Sequence, residues 1–446
     1  MHVPGLRKKI FFTLGLLLVY QLGFHIYLPG VNTEVVRRLA EGQGFTAAFG
    51  ILNALFGSAI GSCTLFSLGL MPYISAWIIF SLLAKMVPSL EQLAKEGAQG
   101  QRKINQYTRY ATVPICFIQS FIVMQGMIGQ DIANAQAGNA LIDPELFSSF
   151  FYRMGVVMML TTGTLFIMWL GEKISEHGIG NGISLIIMAG ILSRVPALLV
   201  YSFSADPEGR TQALTMIAIL FIIVVGVIVF VTKAQRRIPI QQAKLTRGRR
   251  QLGGVRHYIP LKLNSAGVMP IVFASALFII PNLLGQIPWL GWMNEYLGYG
   301  GGAGSYFYLL AYPALIFFFS FFWTALMFQP NEIANNLKEH GSFVPGIRPG
   351  KRTADYLEAV MVRVTLAGAT FLAALAMFPQ FAGRMISGVD IGLVYVIGGT
   401  SILIVVGVCL DLVDKINAHL VMRNYEGFMG GGGSEGGASS WARRRR

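Results

Sequence analysis

Residues 52–86, LNALFGSAIGSCTLFSLGLMPYISAWIIFSLLAKM, decide the fold of this 446-residue chain. The second half, 65–86, is apolar and long enough to cross a hydrocarbon core of about 30 Å. The first half, 52–64, is rich in small residues and too short to cross alone. Between them Gly69-Leu70-Met71-Pro72 favours a bend, because proline removes a helical hydrogen bond and glycine tolerates the distortion. An interrupted element at membrane depth must be buried in protein or line a cavity, so we expect a half-helix in a cavity, hinged to a full span.

Composition places the chain among membrane proteins with several spans. Hydrophobic residues make up 54% and charged residues 13%, whereas a globular domain carries about 25% charged residues. The net charge of +14 favours acidic partners such as nucleic acid or anionic lipid, if it lies on one face. No small-residue cleavage site follows the basic N-terminal residues, so we expect no cleaved signal. The cysteines, Cys63, Cys116 and Cys409, are scattered and indicate neither a disulfide framework nor a metal site.

Ten predicted spans give an all-α polytopic membrane protein. They lie at residues 10–27, 65–86, 111–129, 154–170, 183–199, 217–231, 266–280, 306–328, 360–377 and 391–410. Lysine and arginine cluster before the first span and after the second, sixth and eighth, whereas the opposite loops are nearly neutral. By the positive-inside rule, both termini and the basic loops are cytoplasmic.

An internal repeat divides the chain. Gly69-Leu70-Met71-Pro72 opens the second span and Gly267-Val268-Met269-Pro270 opens the seventh. Because the two are five spans apart, the halves have opposite orientation, and such interrupted spans at matching positions indicate a central site. Three identical letters in four can also be a coincidence. The division is an N-terminal half at 1–200, a C-terminal half at 201–428 with basic loops at 232–263 and 329–356, and a flexible tail at 429–446.

The predicted spans have few ionisable residues, and the sequence lacks common catalytic motifs. Ionisable residues lie at or near the span ends, whereas secondary transporters and proton pumps bury such groups near mid-span. The loop 346–352 superficially resembles a phosphate loop, but it has one spacer too few and Arg352 stands where serine or threonine must hold magnesium. The motifs of zinc proteases and of serine hydrolases are absent from the sequence. We therefore expect no enzyme activity, no cofactor and no metal.

Aliphatic and polar residues in the spans each have two interpretations. Leu70 and Ile74 lie one turn apart, as do Ile183 and Ile187, so each pair can present one face. Lipid contact or packing is the simpler interpretation for any one of them. The polar residues either hold helices together or line a seam between helices. They are Ser75, Ser81, Gln119, Gln125, Thr161, Thr162, Thr164, Ser275 and Thr324.

The loop after the sixth span holds nine cations and no acidic residue. Positive-inside topology and anionic lipid explain some of this charge. A run this long exceeds what topology needs, and Arg247-Gly248-Arg249-Arg250 forms a basic tip at its middle. Such a tip suits RNA phosphates or an acidic protein surface, so we expect a docking role.

Five blocks stand out in order along the chain: LGLMPYISA at 68–76, KINQYTRY at 103–110, GIGNGIS at 178–184, FVPGIRPG at 343–350 and GTSILIVV at 399–406. Together they resemble the SecY family of bacterial protein-conducting channels. The resemblance runs from about Leu6 to Phe428 and leaves out only the tail. It implies two inverted halves of five helices around an hourglass pore, with a lateral opening between the second and third helices on one side and the seventh and eighth on the other.

The resemblance also implies site residues. Those matching the pore ring are Leu70, Ile74, Ile183, Ile187, Val272 and Ile404. The plug spans about 53–66 and includes Asn53, Leu55, Gly57, Ile60, Ser62 and Phe66. The lateral gate is assigned Ser75, Gln119, Ala276 and Ile280, and partner docking is assigned Arg348, Lys244, Arg249 and Arg250. Leu70 and Val272 depart from the isoleucine usual at the ring, and Ser62 stands where the plug commonly has a basic residue.

By this resemblance the chain passes unfolded preproteins across the plasma (inner) membrane and releases transmembrane segments sideways into lipid. A nucleotide site is absent from the sequence, so the energy comes from the SecA ATPase or a translating ribosome, with rRNA phosphates as a contact. Further expected partners are SecE, usually SecG, signal peptides, nascent chains and anionic lipids. A secondary transporter and a scaffold that organises partners are the competing classes: mid-span acids would favour the first, and a bundle without a central cavity the second.

Overall fold

The computed structural model describes residues 4–32, 63–135, 149–193, 195–196, 207–242, 245–247, 250–252, 256–284, 304–385 and 399–430. The helices in these residues are α1 (Pro4–Gly23), α2 (Met71–Met86), α3 (Pro88–Lys95), α4 (Ala98–Ala135), α5 (Phe150–His177), α6 (Gly182–Leu192), α7 (Pro207–Lys233), α8 (Met269–Leu284), α9 (Gly304–Met327), α10 (Pro330–Glu339), α11 (Lys351–Met385) and α12 (Thr400–Gly430). The strands are β1 (Gln235–Gln242), β2 (Leu245–Arg247), β3 (Arg250–Leu252), β4 (Arg256–Lys262) and β5 (Ser342–Phe343).

The predicted count of ten spans is not confirmed. Within the described residues, three helices are long and apolar enough to cross a membrane, at Phe150–His177, Phe307–Glu339 and Lys351–Pro379. Met71–Ala84 and Pro88–Ala94 add a fourth if this pair, bent by 100°, is one span. In the described part of the chain α2 and α8 have 16 residues and α6 has 11, fewer than the ~20 residues that a full crossing needs.

Local structure supports the repeat between the two halves. Gly69 and Gly267 adopt φ angles of 57° and 64°, a region that side chains other than glycine rarely enter. Helices α2 and α8 begin two residues later, and each has proline at its second position, where the missing N–H is not needed. Residues 65–70 therefore form turns, and the helix begins six residues later than the predicted span at 65–86.

Close backbone contact joins α5 to α6. A Cβ atom built on Gly182 would overlap the carbonyl oxygen of Gly171, so only glycine permits this approach. The side chain of Asn181 caps α6 by accepting a hydrogen bond from the Ile183 N–H at 3.1 Å. The contact and the cap together fix the position of Ile183, which lies in the first turn of α6.

Replacing Gly182 with valine should destabilise the protein by on the order of 1–3 kcal/mol, because the added side chain has no room against fixed backbone. Thermal unfolding of the detergent-solubilised protein measures the effect. Gly226→Val is the matched control, since a Cβ there meets nothing within 4 Å. Equal stability of the two variants would contradict the close contact.

The halves meet at several helices. α12 packs against α7 of its own half and against α6 of the N-terminal half. The largest apolar cluster lies in the C-terminal half, around Ile228, Ile271, Ile316 and Leu372, and Trp77 and Ile78 of α2 pack against it. The core is therefore continuous between the halves.

A small sheet, which the sequence analysis did not predict, is formed by β1 and β4, which lie between α7 and α8 along the chain, and by β5. Its strand order is β4-β1-β5 and the pairings are antiparallel, with Ile238 opposite Ile259 and Gln241 opposite Phe343. Since β5 belongs to the loop before α11, the sheet ties the two long basic loops together. Ile238 and Leu261 bury their side chains against Leu357 of α11, which anchors the sheet to the helical body.

Candidate functional site

The residues assigned to the pore ring come from both halves. Leu70 caps α2 and Ile74 follows one turn later, with the Ile74 N–H donating to the Leu70 carbonyl at 3.0 Å. Ile183 and Ile187 lie one turn apart on α6. Because residues four apart share one face of a helix, each pair points in one direction. α8 contributes Val272 and α12 contributes Ile404.

The structure brings these six side chains together. One apolar cluster contains Leu70, Ile74, Ile183, Ile187 and Val272. Ile404 lies in an adjoining cluster to which Ile187 and Val272 also contribute. Leu70, Ile74 and Ile404 are only 2%, 8% and 5% exposed. We call the six residues the aliphatic girdle; their side chains contain no polar atom and offer no group that would hold one substrate rather than another.

Most of the predicted plug lies outside the described residues: Asn53, Leu55, Gly57, Ile60 and Ser62. Phe66, at its end, is described and is 2% exposed. Its ring lies 6.1 Å from the rings of Tyr20 and Phe166, stacked on both. Just before it, the Leu65 N–H donates to the Ile26 carbonyl at 2.9 Å. The C-terminal end of the predicted plug is thus held between α1 and α5.

The residues assigned to the lateral gate lie on α2, α4 and α8. The Gln119 side-chain amide of α4 donates to the Ser75 hydroxyl of α2 at 3.4 Å, and that hydroxyl donates to the Met71 carbonyl at 3.0 Å. Ser75 and Gln119 thus hold together two helices of the N-terminal half. Ala276 and Ile280 lie on α8, and their side chains are outside the described part of the structure. We predict that Ser75 and Ile280 face each other across the lateral gate.

Trp77 makes a contact that the sequence analysis missed. Its ring lies 6.2 Å from that of Phe273 on α8 and 5.6 Å from that of Trp323 on α9, and the latter two rings are 5.4 Å apart. Aromatic pairs at such distances attract each other by about 0.5–1.5 kcal/mol beyond their burial. We call these three residues the aromatic bridge, because they join α2 of one half to α8 and α9 of the other. A tryptophan inside a span, away from the membrane interfaces where tryptophan is enriched, was the available signal.

Arg348 lies in a fixed turn beside the sheet. Val344 is buried and Ile347 is partly buried in the cluster under the sheet, and the Ile347 N–H donates to the Val344 carbonyl at 3.1 Å. The buried Thr353 hydroxyl donates to the Arg348 carbonyl at 2.9 Å. Gly346 has a φ of 84°, which closes the turn. The backbone of Arg348 is held from both sides while its side chain is exposed.

The other assigned docking residues are described less fully. Lys244 and Arg249 lie outside the described residues. Arg250 begins β3 and pairs with Arg247 of β2, so the predicted basic tip is flanked by two antiparallel strands. The side chains of Arg247 and Arg250 are outside the described part.

One ion pair in the helical body was also missed. Arg109 of α4 and Glu172 of α5 approach to 2.5 Å, and Glu172 is the less exposed of the two. It ties α4 to α5 within the N-terminal half. For metals, the described residues contain no group of three histidine, cysteine or acidic side chains able to hold an ion.

Comparisons with known proteins point to one family. A family model described as SecY matches residues 64–413. The protein translocase subunit SecY of Streptomyces galbus is 41% identical, over 96% of this chain and 98% of its own. Its namesake in Haemophilus influenzae is 40% identical, over 94% of this chain and 93% of its own, and that of Thermotoga maritima is 38% identical over 96% of each.

Solved structures share the fold. A structure described as a protein conducting channel has a TM-score of 0.62 at 20% identity, and covers 93% of both chains. Sec61 in the canine ribosome-channel complex has a TM-score of 0.59 at 18% identity, with the same coverage. These likenesses and the relatives near 40% identity confirm the resemblance found in the five sequence blocks. The chain belongs to the SecY family.

Proposed function

We propose that the chain is a protein-conducting channel: unfolded polypeptides pass through the aliphatic girdle, and transmembrane segments leave sideways into lipid. The observation that carries the proposal is the convergence of aliphatic side chains from α2, α6, α8 and α12, drawn from both halves, on one girdle. A channel for arbitrary sequences needs walls that bind no segment strongly, and these walls have no polar side chain.

The girdle also explains how such a channel stays closed to ions. A narrow apolar constriction is dry, and dewetting blocks ion flow without a rigid lid. A transmembrane segment in the pore meets lipid when the seam between α2 and α8 opens, and its apolar side chains then favour the bilayer. We assign the role of the plug to residues 53–66, whose last residue, Phe66, stacks on Tyr20 of α1 and on Phe166 of α5.

The sheet and the Arg348 turn form the docking face for the energy source. The sequence lacks the phosphate-loop motif of an ATPase, so a partner drives translocation: the SecA ATPase or a translating ribosome. Support comes from the exposed Arg348 and from the basic strands β2 and β3, which lie between β1 and β4 along the chain. One structural neighbour is Sec61 in a ribosome-channel complex. We place this face and both termini in the cytoplasm, with SecE and SecG as small partner subunits and anionic lipids around the basic loops.

The channel is not an enzyme in this proposal, and a secondary transporter is disfavoured. A transporter needs ionisable groups at its central site, whereas the six girdle residues are all aliphatic. The basic residues of loops 232–263 and 329–356 lie outside the predicted spans, where a docking partner can reach them.

Cross-linking the seam tests the function. With Cys63, Cys116 and Cys409 replaced by alanine, cysteines at Trp77 and Phe273 joined by a short thiol cross-linker should stop preprotein translocation and segment insertion in proteoliposomes. The reason is that the cross-link replaces the aromatic bridge between the halves and prevents the seam from opening.

The matched control is a cross-link between cysteines at Ser75 and Gln119. These two residues are already in contact within one half, so the control should insert segments normally. Undiminished insertion by the channel cross-linked at Trp77 and Phe273 would refute the lateral exit.

A further inference from the structure

A pocket of about 580 Å³ opens where the sheet joins α11. We call it the arginine pocket, because Arg236 of β1 and Arg363 of α11 both line it. Its remaining walls are largely apolar and include Leu263, Val360, Val364 and Ala367. Pockets of roughly 300–1,000 Å³ hold small molecules.

The fold builds this pocket with fixed walls. Val360, Arg363, Val364 and Ala367 recur three and four residues apart, so they form one face of α11. A Cβ atom on Gly368 would overlap the Leu263 carbonyl oxygen, so glycine is required for α11 to approach the end of the sheet. The Leu263 N–H donates to the Ala234 carbonyl at 2.9 Å, which extends the β1–β4 pairing to the pocket wall.

The arginine pocket lies where the predicted span 360–377 begins, at the expected depth of the membrane boundary. Leu357 and Met361 of α11 pack under the sheet, whereas Leu372 of the same helix packs in the core of the C-terminal half. Arg363 lies between these two sections. Beside it, Val362 and Leu366 are 50% and 52% exposed, as expected of side chains that face lipid.

The two guanidinium groups are available for an anion. In the described part of the chain the recorded ion pairs involve neither Arg236 nor Arg363. Ala359 and Ala367 occupy the positions four residues from Arg363, where a helical acid would pair with it. Guanidinium groups bind phosphate through two parallel hydrogen bonds, and basic pockets between helices at the membrane boundary hold anionic lipid headgroups.

We propose that the arginine pocket binds one anionic glycerophospholipid, its phosphate between Arg236 and Arg363 and an acyl chain along Val364 and Ala367. We choose a lipid as the occupant because of the charge and shape of the pocket. Arg236 and Arg363 lie at the expected depth of the headgroups, and the apolar wall formed by Val364 and Ala367 continues along α11 toward the expected membrane core. The inference deepens the lipid part of the proposed function. Its test measures lipid retention, so its failure would leave the translocation proposal standing.

The experiment uses the full chain with its co-purified subunits, reconstituted in equimolar phosphatidylglycerol and phosphatidylcholine. Native mass spectrometry then measures the lipid retained after mild delipidation. Arg236→Gln with Arg363→Gln should weaken phosphatidylglycerol retention by roughly tenfold or more, the typical effect of losing hydrogen bonds to a charged group. Ala367→Trp should lower retention too, because it fills the pocket without changing charge.

The matched control is Arg237→Gln with Arg352→Gln, which removes the same charge from two exposed residues outside the pocket lining. Arg237 neighbours Arg236 on β1 but points to the other strand face. Equal retention in the two double variants would overturn the proposal. The proposal would also be overturned if the channel retained phosphatidylcholine as well as phosphatidylglycerol, or if inorganic phosphate alone displaced the lipid. A third contrary result would be a partner subunit, in place of lipid, cross-linked to a photoreactive residue at position 367.

Discussion

Replacing Ile404 with asparagine will make the resting channel leak ions. Ile404 is 5% exposed and packs against Ile191, Ile187 and Val272. An amide kept dry in such a place costs about 1–3 kcal/mol, and water entering the girdle removes that cost. A free-energy difference of this size raises the population of channels with a hydrated girdle roughly tenfold to hundredfold. Ion conductance of reconstituted channels in planar bilayers measures it directly.

Two controls separate wetting from general damage. Ile404→Leu keeps an apolar side chain of the same size and should stay as closed as the parent. Ile402→Asn places the same amide two residues away on α12, where Ile402 is buried in the cluster of the C-terminal half and not in the girdle. That variant should lose stability without gaining conductance. Parental conductance in a well-expressed Ile404→Asn channel would remove Ile404 from the girdle.

Patterns within one helix were readable from the sequence. The spacing of Leu70 and Ile74, and of Ile183 and Ile187, showed that each pair shares a face. The Gly-x-Met-Pro blocks marked the starts of α2 and α8, and the φ angles of Gly69 and Gly267 agree with a bend there. Such features depend only on helix geometry and on what glycine and proline permit.

Contacts between distant segments were not readable in the same way. That the girdle pairs converge with Val272 and Ile404 was implied only by the family resemblance, because periodicity gives a face and not its partner. Trp77 meeting Phe273 and Trp323 depends on how two halves of the chain approach each other. These contacts follow from tertiary packing, which local sequence patterns do not reveal.

The sheet was missed for a different reason. Strand β1 alternates in burial, with Ile238 and Ile240 inside and Pro239 outside, which is the period of a strand. The dense arginines on either side made charge the dominant signal of loop 232–263, and charge alone predicts an exposed loop. A search for period-two alternation in that loop would have found β1.

Arg348 will prove to be a docking residue that lysine cannot replace. Its turn follows β5 directly and is anchored by buried Val344 and by the Thr353 hydroxyl on the Arg348 carbonyl. Such anchoring is unnecessary for a charge that only orients the chain in the membrane. It holds one exposed guanidinium in a defined direction, as bidentate binding of a carboxylate or phosphate requires.

Arg348→Lys should therefore keep the membrane topology and still impair export, because lysine offers a point charge in place of the planar fork. Arg348→Glu should nearly abolish export, since it repels the same acidic group. Translocation of a preprotein into inverted membrane vesicles measures both variants. ATP hydrolysis by the motor, with and without preprotein, shows whether the loss is one of coupling.

The neighbouring charge supplies the control. Arg352 is exposed at the start of α11 and lies outside the anchored turn. Arg352→Lys and Arg352→Glu make the same chemical changes four residues away, so they should leave export close to the parental rate. Positive-inside topology alone would make the two positions equivalent, because it counts charges and ignores their geometry. Export at the parental rate by Arg348→Lys would show that the geometry of the turn serves no partner, and Arg348 would then be one inside charge among many.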